Sequence, residues 1–169
     1  STTLLANPLL LPIFQAIPYP GKREAQKKSF RKFLSLARSL RKPVVIHSWA
    51  AEEEAFELVS GSGVEAAFHC FTGKKDLALE IAEKGFFVSI STAVFFSKNV
   101  KATAKSIPLD RLLLETDSPF LDPDRERKRN TPGNVLLSAK KIAELRNIPE
   151  EEVSRAALEN ARRLFRLPV

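Results

Sequence analysis

The chain contains two histidines, His47 and His69, and each directly follows a short apolar run. Pro43-Val44-Val45-Ile46 leads into the first and Val64 to Phe68 into the second. A third run, Leu112-Leu113-Leu114, breaks into Glu115-Thr116-Asp117-Ser118-Pro119, which puts carboxylates at the equivalent point. Two imidazoles and a carboxylate make a three-donor set that suits Zn²⁺ with one position open to water. A metal so held lowers the pKa of its water to about 7 and polarises a phosphoryl or carbonyl oxygen. Taken singly, each histidine reads more readily as structural, and an isolated Asp-Ser-Pro as a turn cap. Three polar strand ends of this kind in one chain favour metal binding.

The elements around these residues explain how they meet. Continuous apolar runs such as the three leucines are typical of strands buried on both faces of a parallel sheet. From Arg23, apolar residues Phe30, Phe33, Leu34, Ala37 and Leu40 recur at helical spacing, and the helix must end before Pro43. A helix over Glu52 to Val59 is closed by Gly61 and Gly63, and one over Asp76 to Lys84 by Gly85. Phe86 to Ile90 is a further strand, and Ser97 to Ser106 a further helix ended by Pro108. After a charged, proline-punctuated loop over Asp122 to Gly133 come two helices. One covers Asn134 to Arg146. The other begins near Pro149, with Glu150 to Glu152 complementing its dipole. Strands alternating with helices at this spacing imply βαβ units and a parallel sheet. Right-handed crossovers then bring all four strand ends to one side, so that His47, His69 and Asp117 converge.

Bulk properties narrow the classes. With 169 residues the chain has one domain as its default, and 44% hydrophobic with 28% charged residues is ordinary for a soluble protein. No apolar run approaches the roughly 20 residues of a membrane span, so no membrane partner is expected. The single cysteine, Cys70, excludes an intrachain disulfide and fits a reducing compartment, cytoplasmic or, in a eukaryote, nuclear. A net charge of +7, with clusters at Lys22 to Lys32, Arg38 to Lys42 and Arg125 to Arg129, is compatible with a polyanionic partner. Residues 1–22, which hold four of the eleven prolines, read as an irregular arm or one irregular strand, and 23–169 as the folded domain.

Pro43-Val44-Val45-Ile46-His47-Ser48, Phe68-His69-Cys70-Phe71-Thr72-Gly73 and Leu112 to Pro119 together resemble the TatD family of metal-dependent deoxyribonucleases. So do Lys128-Arg129-Asn130 with Pro132, and the ending Glu159-Asn160-Ala161-Arg162-Arg163-Leu164-Phe165. The resemblance runs from about Gln26 to Leu167 with the motifs in order. It implies an α/β fold of parallel βα units: a partial TIM-type (β/α)₈ barrel corresponding to about strands five to eight. It also implies one or two divalent ions (Zn, Mg or Mn) and DNA as the substrate. By that resemblance His47 and His69 match the histidines of one metal. Asp117 matches the aspartate that binds the other metal and helps activate water, and is therefore the catalytic residue. Arg129 falls where a phosphate contact is expected. Ser118, Glu115 and Cys70 are read as a turn cap, a partner for a nearby polar group and a small packed side chain.

The chain also departs from that family. A His-x-His pair on the first strand and a Glu-Ile-Gly-Leu-Asp stretch ending the fourth are absent, and the latter region reads Phe14-Gln15-Ala16-Ile17-Pro18-Tyr19-Pro20. Four parallel strands alone leave two open edges and a bare inner face, which invites self-association or a partner chain that completes the barrel. Three functions are therefore weighed: a TatD-like deoxyribonuclease, possible only with reduced metal ligands; a non-catalytic TatD-like scaffold or nucleic-acid-binding component; and an amidohydrolase-type enzyme with a small-molecule substrate.

Overall fold

The computed structural model describes residues 9–11, 22–124 and 129–168. Most of the 1–22 arm, the stretch Phe14 to Pro20, and Lys128 of the Lys-Arg-Asn motif lie outside the described residues. The chain forms a five-stranded sheet in the order β1-β2-β3-β4-β5, every neighbouring pair parallel. The strands are β1 (Leu9–Leu11), β2 (Val44–His47), β3 (Ala66–His69), β4 (Phe87–Ile90) and β5 (Leu112–Leu114). Between and after them run α1 (Arg23–Ser39), α2 (Glu52–Ser60), α3 (Lys75–Glu83), α4 (Lys98–Ser106), α5 (Val135–Arg146) and α6 (Glu150–Phe165). Spatial order that equals chain order is what successive βα units wound in one direction produce. A doubly wound sheet would reverse at a switch point.

Alternation along the strands sorts their side chains into two layers. Val44, Ile46, Ala66, Phe68, Val88, Ile90 and Leu112 point into the main core, with Phe30 and Leu34 of α1, Val59 of α2, Ile81 of α3, Val100 of α4 and Ile142 of α5. Phe68 is its largest fully buried side chain and stacks edge-on with Phe56, Phe71 and Phe86. In α1 the buried stripe is narrower than the helical spacing predicts: Phe30, Leu34 and Ala37 are buried, whereas Phe33 and Leu40 stand exposed. The i, i+4, i+7 set alone faces the sheet, and the other two flank it. Gly63 and Gly85, which follow α2 and α3, adopt the left-handed backbone that their turns need.

The opposite face of the sheet is not left bare. Ala67, Phe87 and Leu113 pack against Leu164 of α6, with Ala161 and Phe165 beside them. The last helix therefore covers part of the inner face. Polar anchors hold it beside β5: the Asn160 amide donates to the Leu109 and Leu112 carbonyls, both at 2.7 Å. Arg163 stacks its guanidinium on the Phe87 ring, 5.0 Å from the centroid, while donating to the Asp110 carbonyl. Pro149 stands just before α6 as its cap residue, and three glutamates fill the first turn as expected. No helix among the described residues is long and apolar enough to cross a membrane.

Candidate active site

Strand register brings the histidines together. His47 is the residue directly paired with His69 across β2 and β3, and their ring centroids lie 5.3 Å apart, tilted by 44°. β5 lies two strands from β3, and the chain leaving it carries Glu115 and Asp117 back toward His69. The Glu115 N–H donates to the Ile90 carbonyl at 3.1 Å, which extends the β4–β5 pairing by one residue. Period-2 alternation puts Glu115 on the same face as Leu113 and the two histidines. Its carboxylate then grips His69 at Nδ1 and accepts the Cys70 N–H. The other ring nitrogen, Nε2, lies 3.4 Å from Asp117 Oδ1. Two of the three residues singled out as metal ligands are thus in direct contact, and the third is their neighbour.

The backbone turns sharply at these points. Ala50, Cys70 and Asp117, each within three residues of a strand end, have left-handed φ values of 57°, 46° and 58°. Aspartate tolerates that region better than most residues, whereas alanine and cysteine do so at some cost. Hydrogen bonds over-determine the turn after β5. Thr116 Oγ1 pairs with the Ser118 hydroxyl at 2.8 Å and accepts the Ser118 N–H at 3.3 Å. The buried Asn130 amide donates to the Thr116 and Phe120 carbonyls, both at 2.7 Å, and its N–H to the Pro119 carbonyl at 3.0 Å. Arg129 is exposed immediately before it, beside the segment that leaves Asp117.

Electrostatics follow from this geometry. Burial opposes the charged form of His69, but the Glu115 hydrogen bond and the charges of Glu115 and Asp117 outweigh it, so its pKa is raised above 6.5. Cys70 moves the other way in reactivity. Burial, helped by the same two carboxylates and opposed by a hydrogen bond to Ser91, pushes its thiol up to about 12, which keeps it protonated and inert. A cavity of about 460 Å³ opens on the inner face, lined by Val45, Ala67, Leu113 and residues of α5 and α6, with His69 and Glu115 also in its wall.

The donors are of the right chemistry for a divalent cation. A histidine ligand ordinarily gives its second nitrogen to a carboxylate, which fixes the ring and its tautomer, and Glu115 stands in that relation to His69. Among the described residues, no three His, Cys, Asp or Glu side chains stand ready-made at coordination spacing. Here Asp117 Oδ1 faces His69 Nε2 directly, 3.4 Å away. The partner expected for Glu115 is thus a histidine ring and the backbone beside it, which makes Glu115 part of the site. Its position two residues before Asp117 was the available signal, but the pairing with a residue 46 positions earlier was not readable. Asn130 lay within a recognised motif without a role, and its role is to hold the loop.

Comparison with known proteins agrees with the motifs. The family model described as TatD related DNase matches residues 16–166. An uncharacterized metal-dependent hydrolase, YabD of Bacillus subtilis, is 40% identical over 151 residues, which cover 86% of this chain and 59% of that protein. Deoxyribonuclease TATDN3 of Homo sapiens is 34% identical over 145 residues, 85% of this chain and 53% of that one. The solved structure of YjjV, a TatD homologue from Escherichia coli, superposes with a TM-score of 0.80 at 22% identity, covering 92% of this chain and 62% of the other. The chain spans somewhat more than half the length of the curated relatives it matches. With strand-end histidines, the Glu-Thr-Asp turn and a match across 16–166, this chain belongs to the TatD-related DNase family.

Proposed function

We propose that the chain is the part of a TatD-type metal-dependent hydrolase that holds one divalent cation and acts on phosphodiester bonds of DNA. The observation that carries this reading is the meeting of His69 with Asp117 and Glu115, next to His47, at the carboxyl end of a parallel sheet. That end is where catalytic groups collect in barrels. His47 and His69 would hold the cation through ring nitrogens, and Asp117 would complete the set. A cation bound there supplies Lewis acidity toward a phosphoryl oxygen and an acidified water. Glu115 keeps His69 oriented, and Asp117 is placed to accept a proton or orient water beside the rings.

Sequential strand order and the extent of the YjjV match support reading β2 to β5 as strands five to eight of a (β/α)₈ barrel, with β1 as the fourth. A His-x-His pair and the Glu-Ile-Gly-Leu-Asp stretch do not occur in these residues, so a second ion would keep Asp117 but lack most of its other ligands here, and Asp117 is assigned to the single cation. DNA is favoured as the substrate by two things. The TATDN3 relative is named a deoxyribonuclease, and a net charge of +7 attracts a polyanion. Arg129 is the proposed phosphate contact.

Elemental analysis of the purified chain, with a His47→Ala/His69→Ala double variant, tests the metal. The expected result is about one ion per chain, absent from the variant, together with release of nucleotides from DNA that chelator abolishes. No bound metal in either form, with salt-sensitive DNA binding that ignores chelator, would replace this reading with the non-catalytic one. Hydrolysis of a small ester or amide without action on DNA would favour a small-molecule substrate.

A further inference from the structure

Two aromatic side chains near the candidate site are left in water. Trp49 exposes 61% of its surface and Phe120 71%. Trp49 stands two residues after His47 and Phe120 three after Asp117, so both lie on loops at the carboxyl end of the sheet. A single exposed apolar residue needs no explanation. Trp49, however, also lines a cavity of about 440 Å³, a size within the range of small-ligand sites. Glu52, Thr72, Gly73, Lys74 and Asn99 share its lining. These come from the start of α2, the loop after β3 and the start of α4, the same end that carries the histidines.

The charges of this cavity say what fits it. Glu52, Glu53 and Glu54 all contribute to its wall. Glu54 is neutralised by Arg23 at 2.8 Å and Lys27 at 3.1 Å, and Glu52 accepts a hydrogen bond from the Thr72 hydroxyl at 3.3 Å. Arg23 and Lys74 line the same cavity, so its charges are mixed and nearly balanced, and an uncharged planar ring with polar edges fits beside the indole without leaving a charge of its own unpaired. The indole offers a stacking face, while the Thr72 hydroxyl, the Asn99 amide and Lys74 offer adaptable polar partners. Asn99 Nδ2 spends only a long 3.4 Å contact on the Thr72 carbonyl. A nucleobase meets this description.

We propose that Trp49 and its cavity form a base-stacking subsite for an unpaired nucleotide flanking the phosphodiester at the candidate site. The proposal rests on the DNA hydrolase reading above and assigns to Trp49 the contact with a base next to the reacting phosphodiester. Only an unpaired base can present its face to an indole, and such stacking is tolerant of sequence.

Trp49 is the only tryptophan in the chain, so intrinsic fluorescence reports this subsite alone. The probe is oligothymidylate of about ten nucleotides, titrated in EDTA to prevent cleavage, with anisotropy of a labelled copy read in parallel. Saturable quenching is expected, absent with inorganic phosphate or a blunt duplex of the same length. Trp49→Ala should weaken binding about 5- to 150-fold, while Trp49→Phe keeps most of it. Binding seen by anisotropy without quenching, and unchanged in Trp49→Ala, would overturn the subsite and leave the DNA reading standing. Equal quenching by duplex would overturn the preference for unpaired bases. Absence of both signals with every DNA would overturn the subsite and the DNA reading together.

Discussion

Glu115→Gln is the substitution that most directly probes the site. The wild-type carboxylate makes two contacts, to His69 Nδ1 and to the Cys70 N–H, and only 17% of its side chain is accessible. The amide is nearly isosteric, but it has one acceptor oxygen in place of two and no charge. It can keep one contact and must turn its NH₂ toward the other donor. A hydrogen bond to a charged group contributes about 1.5–3 kcal/mol, so losing one predicts a stability loss of that size. For a chain of this length each kcal/mol lowers Tm by about 2–4 °C. The loss should depend on pH. Because the folded pKa of His69 is raised, its pairing stabilises the metal-free protein fully below about pH 6.5, and that contribution fades as pH rises through the folded value. The deficit of Glu115→Gln is therefore largest in acid and smaller above neutrality. The pKa of His69, read by NMR in a chain with only two histidines, should fall in the variant. If Glu115 orients a metal ligand, metal affinity by calorimetric titration should fall about 10–100-fold. An unchanged His69 pKa together with unchanged metal affinity would refute the assigned role.

Asn130→Ala strips buried donors from the Thr116 and Phe120 carbonyls and should cost about 2–4 kcal/mol in urea unfolding; a loss below about 1 kcal/mol would mean that the loop is held otherwise. Cys70, with its thiol pushed up to about 12, should react with iodoacetamide at pH 8 about a thousandfold more slowly in the folded chain than in urea. Comparable rates would show that Cys70 is not shielded. Metal binding at His69 requires a proton to leave a ring whose pKa is raised, so affinity should climb as pH increases above 6.5, with proton release seen in calorimetry. An affinity flat from pH 6 to 8 would exclude His69 as a ligand.

Apart from β1, a fifth strand whose place within the arm over 1–22 has no distinct local pattern, the strands and the helix starts are legible to within two residues because each depends on local pattern: apolar runs, a helical stripe, and prolines or glycines at the ends. β3 shows the usual slippage. Val64 to Phe68 was expected, and pairing runs over Ala66–His69. The 3₁₀ turn at Thr92–Phe95 had no periodic signature and was not anticipated. Nor could the pattern separate Phe30 from Phe33 in α1, since both are apolar and only contact with the sheet buries one of them.

The sequence by itself determined that three strands end on His47, His69 and the Glu115–Asp117 turn, since that follows from where apolar runs stop. Parallel pairing of successive βα units then obliges those ends to share one side of the sheet. Only the tertiary structure decided the rest. His47 faces His69 because of a register set by side chains along the whole strand pair. Glu115 reaches His69 from two strands away, and Asn130 closes the loop from beyond a charged segment. Likewise α6, placed by Asn160 on the carbonyls flanking β5 and by Arg163 on Phe87, covers an inner face that counting strands leaves bare. Local signals record what each segment prefers. Contacts between residues distant in sequence depend on packing that no single segment encodes.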